Sequence, residues 1–376
     1  MDVFQFLVRV TDDSTRGLVK FAALFAAGRG RGRTSRVASA AARRRMARSD
    51  HRVFRRFTFP TGGSPFLVAP EPHAPAPPAR APDTKWVARL HISQLTPALF
   101  DTRFRVPGVP LIIEGALDLP AFEWRLQPFV ESFASSEVTY LCRIHGSDAF
   151  ATSPSKWTGK SHARHVVPTT PSKFAQTIAD GIAAREDCYV QADIRGTSAG
   201  DALDKGPLRR IAAATGLQVH RQYGPVVNMW WGPSGHKEPL HMDATDGTLC
   251  QLYGRKHIVL FPAHCWRDLY PFPATETGMS WAFSQVVQAS PDLGAFPRLA
   301  QALPHRLELV LEEGEVLFLP AGVAHEISGE RLLRDGSPAE HVLSVNRFWR
   351  TDPNRVRPHI PEDARRMYDA TLATYE

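Results

Sequence analysis

Residues 226–243 read VVNMWWGPSGHKEPLHMD and residues 311–327 read LEEGEVLFLPAGVAHEI, and these two stretches decide the fold. In the first, a strand-like run breaks at Gly232-Pro233 and leads on to His241-Met242-Asp243. If that segment is extended, alternation puts His241 and Asp243 on one face, about 6.6 Å apart, where both reach one ion. In the second, the strand-like run EVLFLP (315–320) leads into a turn set by proline and glycine, and His325 opens the next strand. A barrel would return a second imidazole to the first pair in this way. A chain with fifteen histidines yields on the order of one His-x-Asp by accident, so the pair draws its meaning from the distal histidine.

Two neutral imidazoles and one carboxylate on one face of an octahedral metal leave three positions open, the facial triad of non-haem iron sites. A bidentate 2-oxo acid takes two of these and dioxygen the third. Structural, hydrogen-bonded barrel histidines are the plain competing reading. Zinc is a second, although nothing in the sequence supplies an obvious general base for zinc hydrolysis.

Outward from these motifs, strand-like runs of four to nine residues dominate: VTYLCRI (138–144), CYVQADI (188–194), TLCQLYG (248–254), KHIVLFP (256–262), RLELVL (306–311) and HVLSVNRFW (341–349). Short strands with turn residues between them predict a mainly β sandwich or barrel. Helical periodicity is confined to SKFAQTIADGIAA (172–184) and GPLRRIAAATG (206–216), the second ending at a glycine. Trp230, Trp231 and Trp349 read first as core aromatics and second as groove residues.

The formal net charge is +7, but residues 1–60 hold fourteen Lys and Arg against four Asp, +10 by themselves, so the remainder sums to −3. The folded body therefore makes no electrostatic case for nucleic acid. The stretch 28–56 predicts a disordered basic tail, with an organellar transit peptide or a basic arm for nuclear import or nucleic acid as rivals. Seven prolines between 61 and 84 predict an extended linker. We thus expect tail and linker over 1–85, a folded domain over 86–350 and a C-terminal helical extension over 351–376. Cys142, Cys188, Cys250 and Cys265 form no CxxC pair, which points away from zinc knuckles and toward an intracellular, cytoplasmic or nuclear, setting. The run Leu18–Ala27 is too short to span a bilayer, and no membrane association is expected. Oligomeric state is not encoded legibly.

Taken in order, WWGPSGHKEPLHMD, GRKHIVLFP, LEEGEVLFLPAGVAHEI and LSVNRFW resemble the JmjC-type, cupin-like hydroxylases, the group that includes the asparaginyl hydroxylase of hypoxia-inducible factor and a tRNA wybutosine hydroxylase. The similarity covers about residues 105–350. It implies a double-stranded β-helix with an N-terminal α/β extension, and an Fe(II)-, 2-oxoglutarate- and O2-dependent dioxygenase. The substrate it implies first is a protein side chain; a tRNA base, or demethylation of a methylated side chain, comes second, and a non-catalytic metal-binding cupin is the rival outside enzymes. By the same resemblance His241, Asp243 and His325 bind iron. Lys256 pairs with the distal carboxylate of 2-oxoglutarate, Tyr189 supports that carboxylate with Gln191 facing inward beside it, and Asn346 lies near iron and oxo acid. Residue by residue, the alternatives are a solvent-facing strand lysine, a core tyrosine and a loop-satisfying asparagine. Two positions depart from the family pattern. Glu238 stands where relatives often have threonine, and Gly247 where they often have asparagine. A carboxylate beside a dicarboxylic co-substrate is repulsive unless it turns away or is protonated.

Overall fold

In a computed structural model of the chain, the described residues are 87–118, 124–134, 140–144, 165–222, 224–272, 282–288 and 291–373. The expected basic tail, the transit-peptide reading and the proline-rich linker lie outside the described residues.

Thirteen strands are described, and all but one of their pairings are antiparallel. They are β1 (Ala88–His91), β2 (Leu111–Glu114), β3 (Tyr140–Ile144), β4 (His165–Thr169), β5 (Cys188–Asp193), β6 (Asn228–Gly232) and β7 (Lys237–Met242). The rest are β8 (Asp246–Tyr253), β9 (Lys256–Phe261), β10 (Leu307–Leu311), β11 (Val316–Leu319), β12 (Ala324–Gly329) and β13 (Val342–Trp349). A large sheet runs β1-β2-β11-β8-β13-β6-β5-β3-β4 and a small one β10-β9-β12-β7. From β6 to β13 successive strands alternate between the two sheets except for β9 and β10, which pair with each other in the small one, and this is the double-stranded β-helix; β1 to β5 and their helices form the N-terminal α/β extension.

Alternation along each strand divides the apolar residues into three layers. Ile112, Leu249 and Leu317 of the large sheet meet Ile258, Leu260 and Leu311 of the small one, filling one end of the space between the sheets. The outer face of the large sheet, with Trp231, Cys250, Phe318 and Val345, is covered by helices that contribute Phe100, Phe129, Phe174 and Ile211. Leu240, Met242, Val259 and Phe261 on the outer face of the small sheet pack against Trp266 and the C-terminal Tyr368 and Leu372. Trp231 is fully buried, edge-on to Phe129 at 5.1 Å and to Phe174 at 4.8 Å. Truncating such a side chain costs about 3–5 kcal/mol. Trp349 is likewise core, its indole donating to Thr248 Oγ1 at 2.9 Å.

The helix expected over 172–184 is two helices, Pro171–Ala179 and Ile182–Arg185. The first is capped by Thr170, whose hydroxyl accepts from the Lys173 amide. Gly181 at φ +67° interrupts the pattern, a left-handed conformation that a helix interior does not accept. The helix expected over 206–216 is present as Asp204–Leu208 and Arg209–Thr215, and it ends at Gly216 in the left-handed conformation, as read.

Asp246, at the start of β8, has no exposed surface. It accepts two bonds of 2.7 Å from Arg355, one of 3.1 Å from Arg105 and one of 3.0 Å from the Ala321 amide. A buried carboxylate is tolerated only with such saturation. This one ties an N-terminal helix, the β11–β12 turn and the segment after β13 to a point three residues from Asp243.

Candidate active site

Gly322, at φ +83°, turns the chain from β11 into β12 and delivers His325 to the inner face of the small sheet. There His325 lies opposite His241 of β7, their rings 4.2 Å apart. Asp243 follows at the end of β7, its Oδ2 3.6 Å from His325 Nε2. Ligand atoms of His241, Asp243 and His325 all fall within 4.8 Å of one another. Each imidazole donates Nδ1–H to the carbonyl two residues before it, Pro239 at 2.7 Å and Val323 at 3.1 Å. That fixes the tautomer and leaves both Nε2 atoms as the acceptors that a metal could use. Burial pushes both imidazoles down, His325 to about 4, and the His325 ring also disfavours charge on His241. Both imidazoles are therefore neutral near pH 7, the form in which they could accept a metal. Burial raises the Asp243 carboxyl, opposed by His241. A set of two neutral imidazoles and one carboxylate fits a divalent iron.

Lys256 opens β9 on the face shared by Ile258 and Leu260, and it is buried rather than solvent-facing. Its ammonium donates to Ser344 Oγ of β13 at 2.6 Å, bridging the two sheets at the end of the pocket away from the triad. Burial brings its pKa down to about 7, with Glu238 acting in the opposite sense. Among the described residues no ion pair joins Lys256 to a carboxylate.

The wall facing the triad comes from β5, β6 and β13, where cross-strand partners share a face. Gln191, Trp230 and Ser344 make one row, and Asp193, Asn228 and Asn346 the next. The indole of Trp230 donates to Asn346 Oδ1 at 2.7 Å, so Trp230 belongs to the pocket wall, whereas its neighbours in the tryptophan set are core. Gln191 faces inward, as read. Neither amide atom of the buried Asn228 has a hydrogen-bond partner among the described residues. Gly247 pairs with Phe348 near the triad end, and its missing side chain leaves the position lined by that ring.

Tyr189 is buried on the same inner face, where Gly232 makes room for it: a Cβ there would sit 2.4 Å from the ring. Its ring stacks on His236 at 3.9 Å and 16°. Burial, then the charge of Glu238, pushes its hydroxyl well above the usual range.

His236 and Asp187 were missed by sequence reasoning. His236 Nδ1 is 2.7 Å from Asp187 Oδ1, and its Nε2 is 3.8 Å from Glu238 Oε2. Burial opposes the charge, but Asp187 and Glu238 together raise this imidazole to about 9. Glu238 itself does not turn away from the pocket. It pairs with Ile327, which pairs with Ile258, so it shares their inner face. Its charge acts on His241, Asp243, His325, Lys256 and Tyr189.

A family model described as the cupin-like domain matches residues 97–355. Lysine-specific demethylase 8 of Danio rerio is 30% identical over 243 residues, covering 63% of this chain and 54% of that protein. Its Xenopus tropicalis counterpart is 39% identical over 102 residues, 27% of this chain and 22% of that protein. The human tRNA wybutosine-synthesizing protein 5 is 31% identical over 154 residues, 41% of this chain and 36% of that protein. The chain thus spans about half the length, or less, of these curated relatives. A model match from 97 to 355 takes in every strand from β2 to β13, the triad and the buried lysine, and the chain belongs to the JmjC-type, cupin-like domain family.

Proposed function

We propose that this protein is an Fe(II)- and 2-oxoglutarate-dependent dioxygenase that hydroxylates a C–H bond on a protein side chain. One observation carries the reading: His241, Asp243 and His325 converge within 4.8 Å in a pocket whose far end holds the buried ammonium of Lys256. In the proposal the triad binds iron through two Nε2 atoms and one carboxylate oxygen. Lys256 takes the distal carboxylate of 2-oxoglutarate, supported by Ser344 and the Tyr189 hydroxyl, while Asn346, steadied by Trp230, borders the oxo-acid end. Iron, once bound, supplies oxidation of a C–H bond by O2 coupled to loss of CO2 from the oxo acid, giving succinate. The residues bind, orient and keep out water; none is needed as general acid or base.

A protein substrate is favoured over tRNA because the similarity to lysine-specific demethylase 8 spans 63% of the chain, against 41% for the wybutosine protein. N-demethylation is the same hydroxylation directed at an N-methyl carbon, so it stands as the second reading. The oxygenase domain is assigned to 86–350 and a helical extension to 351–376, supported by β1 at Ala88 and the helix Glu362–Leu372. No helix among the described residues is long and apolar enough to cross a membrane. An intracellular setting belongs to the same proposal, since the four cysteines are buried and unpaired.

The test is anaerobic titration of the apo-protein with Fe(II) and then 2-oxoglutarate, following the visible metal-to-ligand charge-transfer band. The band should form in the wild type and be lost in His241→Ala. Metal binding without a band would overturn the enzyme reading in favour of a metal-binding module. A substrate search by succinate release then separates protein from tRNA.

A further inference from the structure

Glu238 is the feature that the proposed function does not absorb. It projects into the pocket that must admit a dianion, and two like charges in a dry site oppose each other strongly. It also shares that pocket with Lys256, the cation the dianion needs. Left to itself, a carboxylate so placed would pair with the ammonium and block the anchor.

The geometry around it is organised against that outcome. Among the described ion pairs, the one that includes Glu238 is with His236, 3.8 Å away, and not with Lys256. His236 is itself held: Asp187 grips Nδ1 at 2.7 Å and Tyr189 stacks flat on the ring at 3.9 Å. Tyr189 can lie there because Gly232 carries no side chain. Asp187 adopts φ +47°, a left-handed conformation that a non-glycine residue holds only when its surroundings impose it. Gly232, Tyr189, His236 and Asp187 thus form a built cluster on the wall beside Glu238.

We infer that His236 is a positioning residue for the co-substrate: it draws the Glu238 carboxylate toward itself and away from Lys256, leaving that ammonium to take the distal carboxylate of a 2-oxo diacid. This rests on the proposed function and deepens it. The role is specific to the distal carboxylate, so it concerns diacids and not 2-oxo acids in general. His236 touches neither the metal nor the reacting atoms.

The experiment measures affinity for 2-oxoglutarate and for the monoacid 2-oxobutyrate by the anaerobic charge-transfer titration. The proteins are the wild type, His236→Gln, Glu238→Thr and the double variant, each checked for Fe(II) affinity and thermal midpoint. His236→Gln should bind 2-oxoglutarate roughly tenfold or more weakly, with its affinities for Fe(II) and 2-oxobutyrate unchanged. The double variant should recover wild-type affinity, and Glu238→Thr alone should bind as tightly as the wild type or tighter. Glu238→Thr keeps the test open if His236→Gln does not fold, because a weakening there contradicts the inference directly. Equal binding by His236→Gln, a defect that persists in the double variant, or an equal loss for 2-oxobutyrate would overturn it. No band in the wild type would instead overturn the proposed function.

Discussion

Replacing Lys256 by methionine removes the ammonium but keeps an unbranched stem of similar length. In the free protein that ammonium rests on one hydroxyl, Ser344 Oγ at 2.6 Å, and burial holds its pKa at about 7. At pH 7 about half the molecules therefore carry a neutral amine. A carboxylate arriving about 4 Å away favours the charged form by about 4 kcal/mol at an effective dielectric of about 20. That is about three pH units, enough to restore an ordinary lysine. The pKa is low in the free state and normal in the bound one, so binding takes up protons and weakens as pH rises. The uptake at pH 7 should be about half a proton, and the apparent Kd should rise about fifteenfold from pH 7 to 8.5. Lys256→Met should lose about three orders of magnitude in affinity together with the pH slope. Anaerobic calorimetry of the Fe(II)-loaded protein, in two buffers of different ionisation enthalpy, reads all three quantities. A Kd flat over that range, or a Lys256→Met affinity within tenfold of wild type, would refute the assignment of Lys256 as the anchor.

Asn228→Leu removes two amide atoms that find no partner among the described residues, so urea unfolding should show a gain of about 1–2 kcal/mol. A loss of stability would show instead that the amide is structural. His341 has no exposed surface, and burial holds it at about 3, below its unfolded value. The unfolded chain therefore gains its proton first as pH falls below about 6.5, and stability drops by about 2 kcal/mol at pH 5. Comparing unfolding at pH 7 and pH 5, His341→Phe should shallow that decline by the same amount.

The triad was legible because strand chemistry and ligand spacing agree: β8, β9, β11 and β13 fall within two residues of the runs that named them. The orientation of Glu238 was not. It lies three residues from His241, and simple alternation sends it to the opposite face. Between them β7 carries one residue more than β12, a bulge at Pro239-Leu240 that resets the face and brings both side chains inside. Pro239 was the available signal, since a proline inside a strand pattern marks an edge or a bulge. His236 and Asp187 had none. They stand 49 residues apart and meet only because β5 pairs with β6, which local patterning does not encode. Lys256 was readable through Ile258 and Leu260 on its face, but its bond to Ser344 depends on how the sheets are stacked.

The saturation of Asp246 decides where the polypeptide can be cut. A shortened chain ending at 350 would keep all thirteen strands and the triad, yet it would discard Arg355 and leave this carboxylate to Arg105 and one amide. Stranding half of such a buried pairing costs about 3–5 kcal/mol, a large fraction of the roughly 5–15 kcal/mol that holds a domain folded. The damage would fall at the N-terminus of β8, three residues past Asp243, where a shift of a few tenths of an ångström moves a ligand. The segment after β13 therefore acts as a latch on the triad end of the barrel, and a shortened fragment meant to keep the proposed site has to include it.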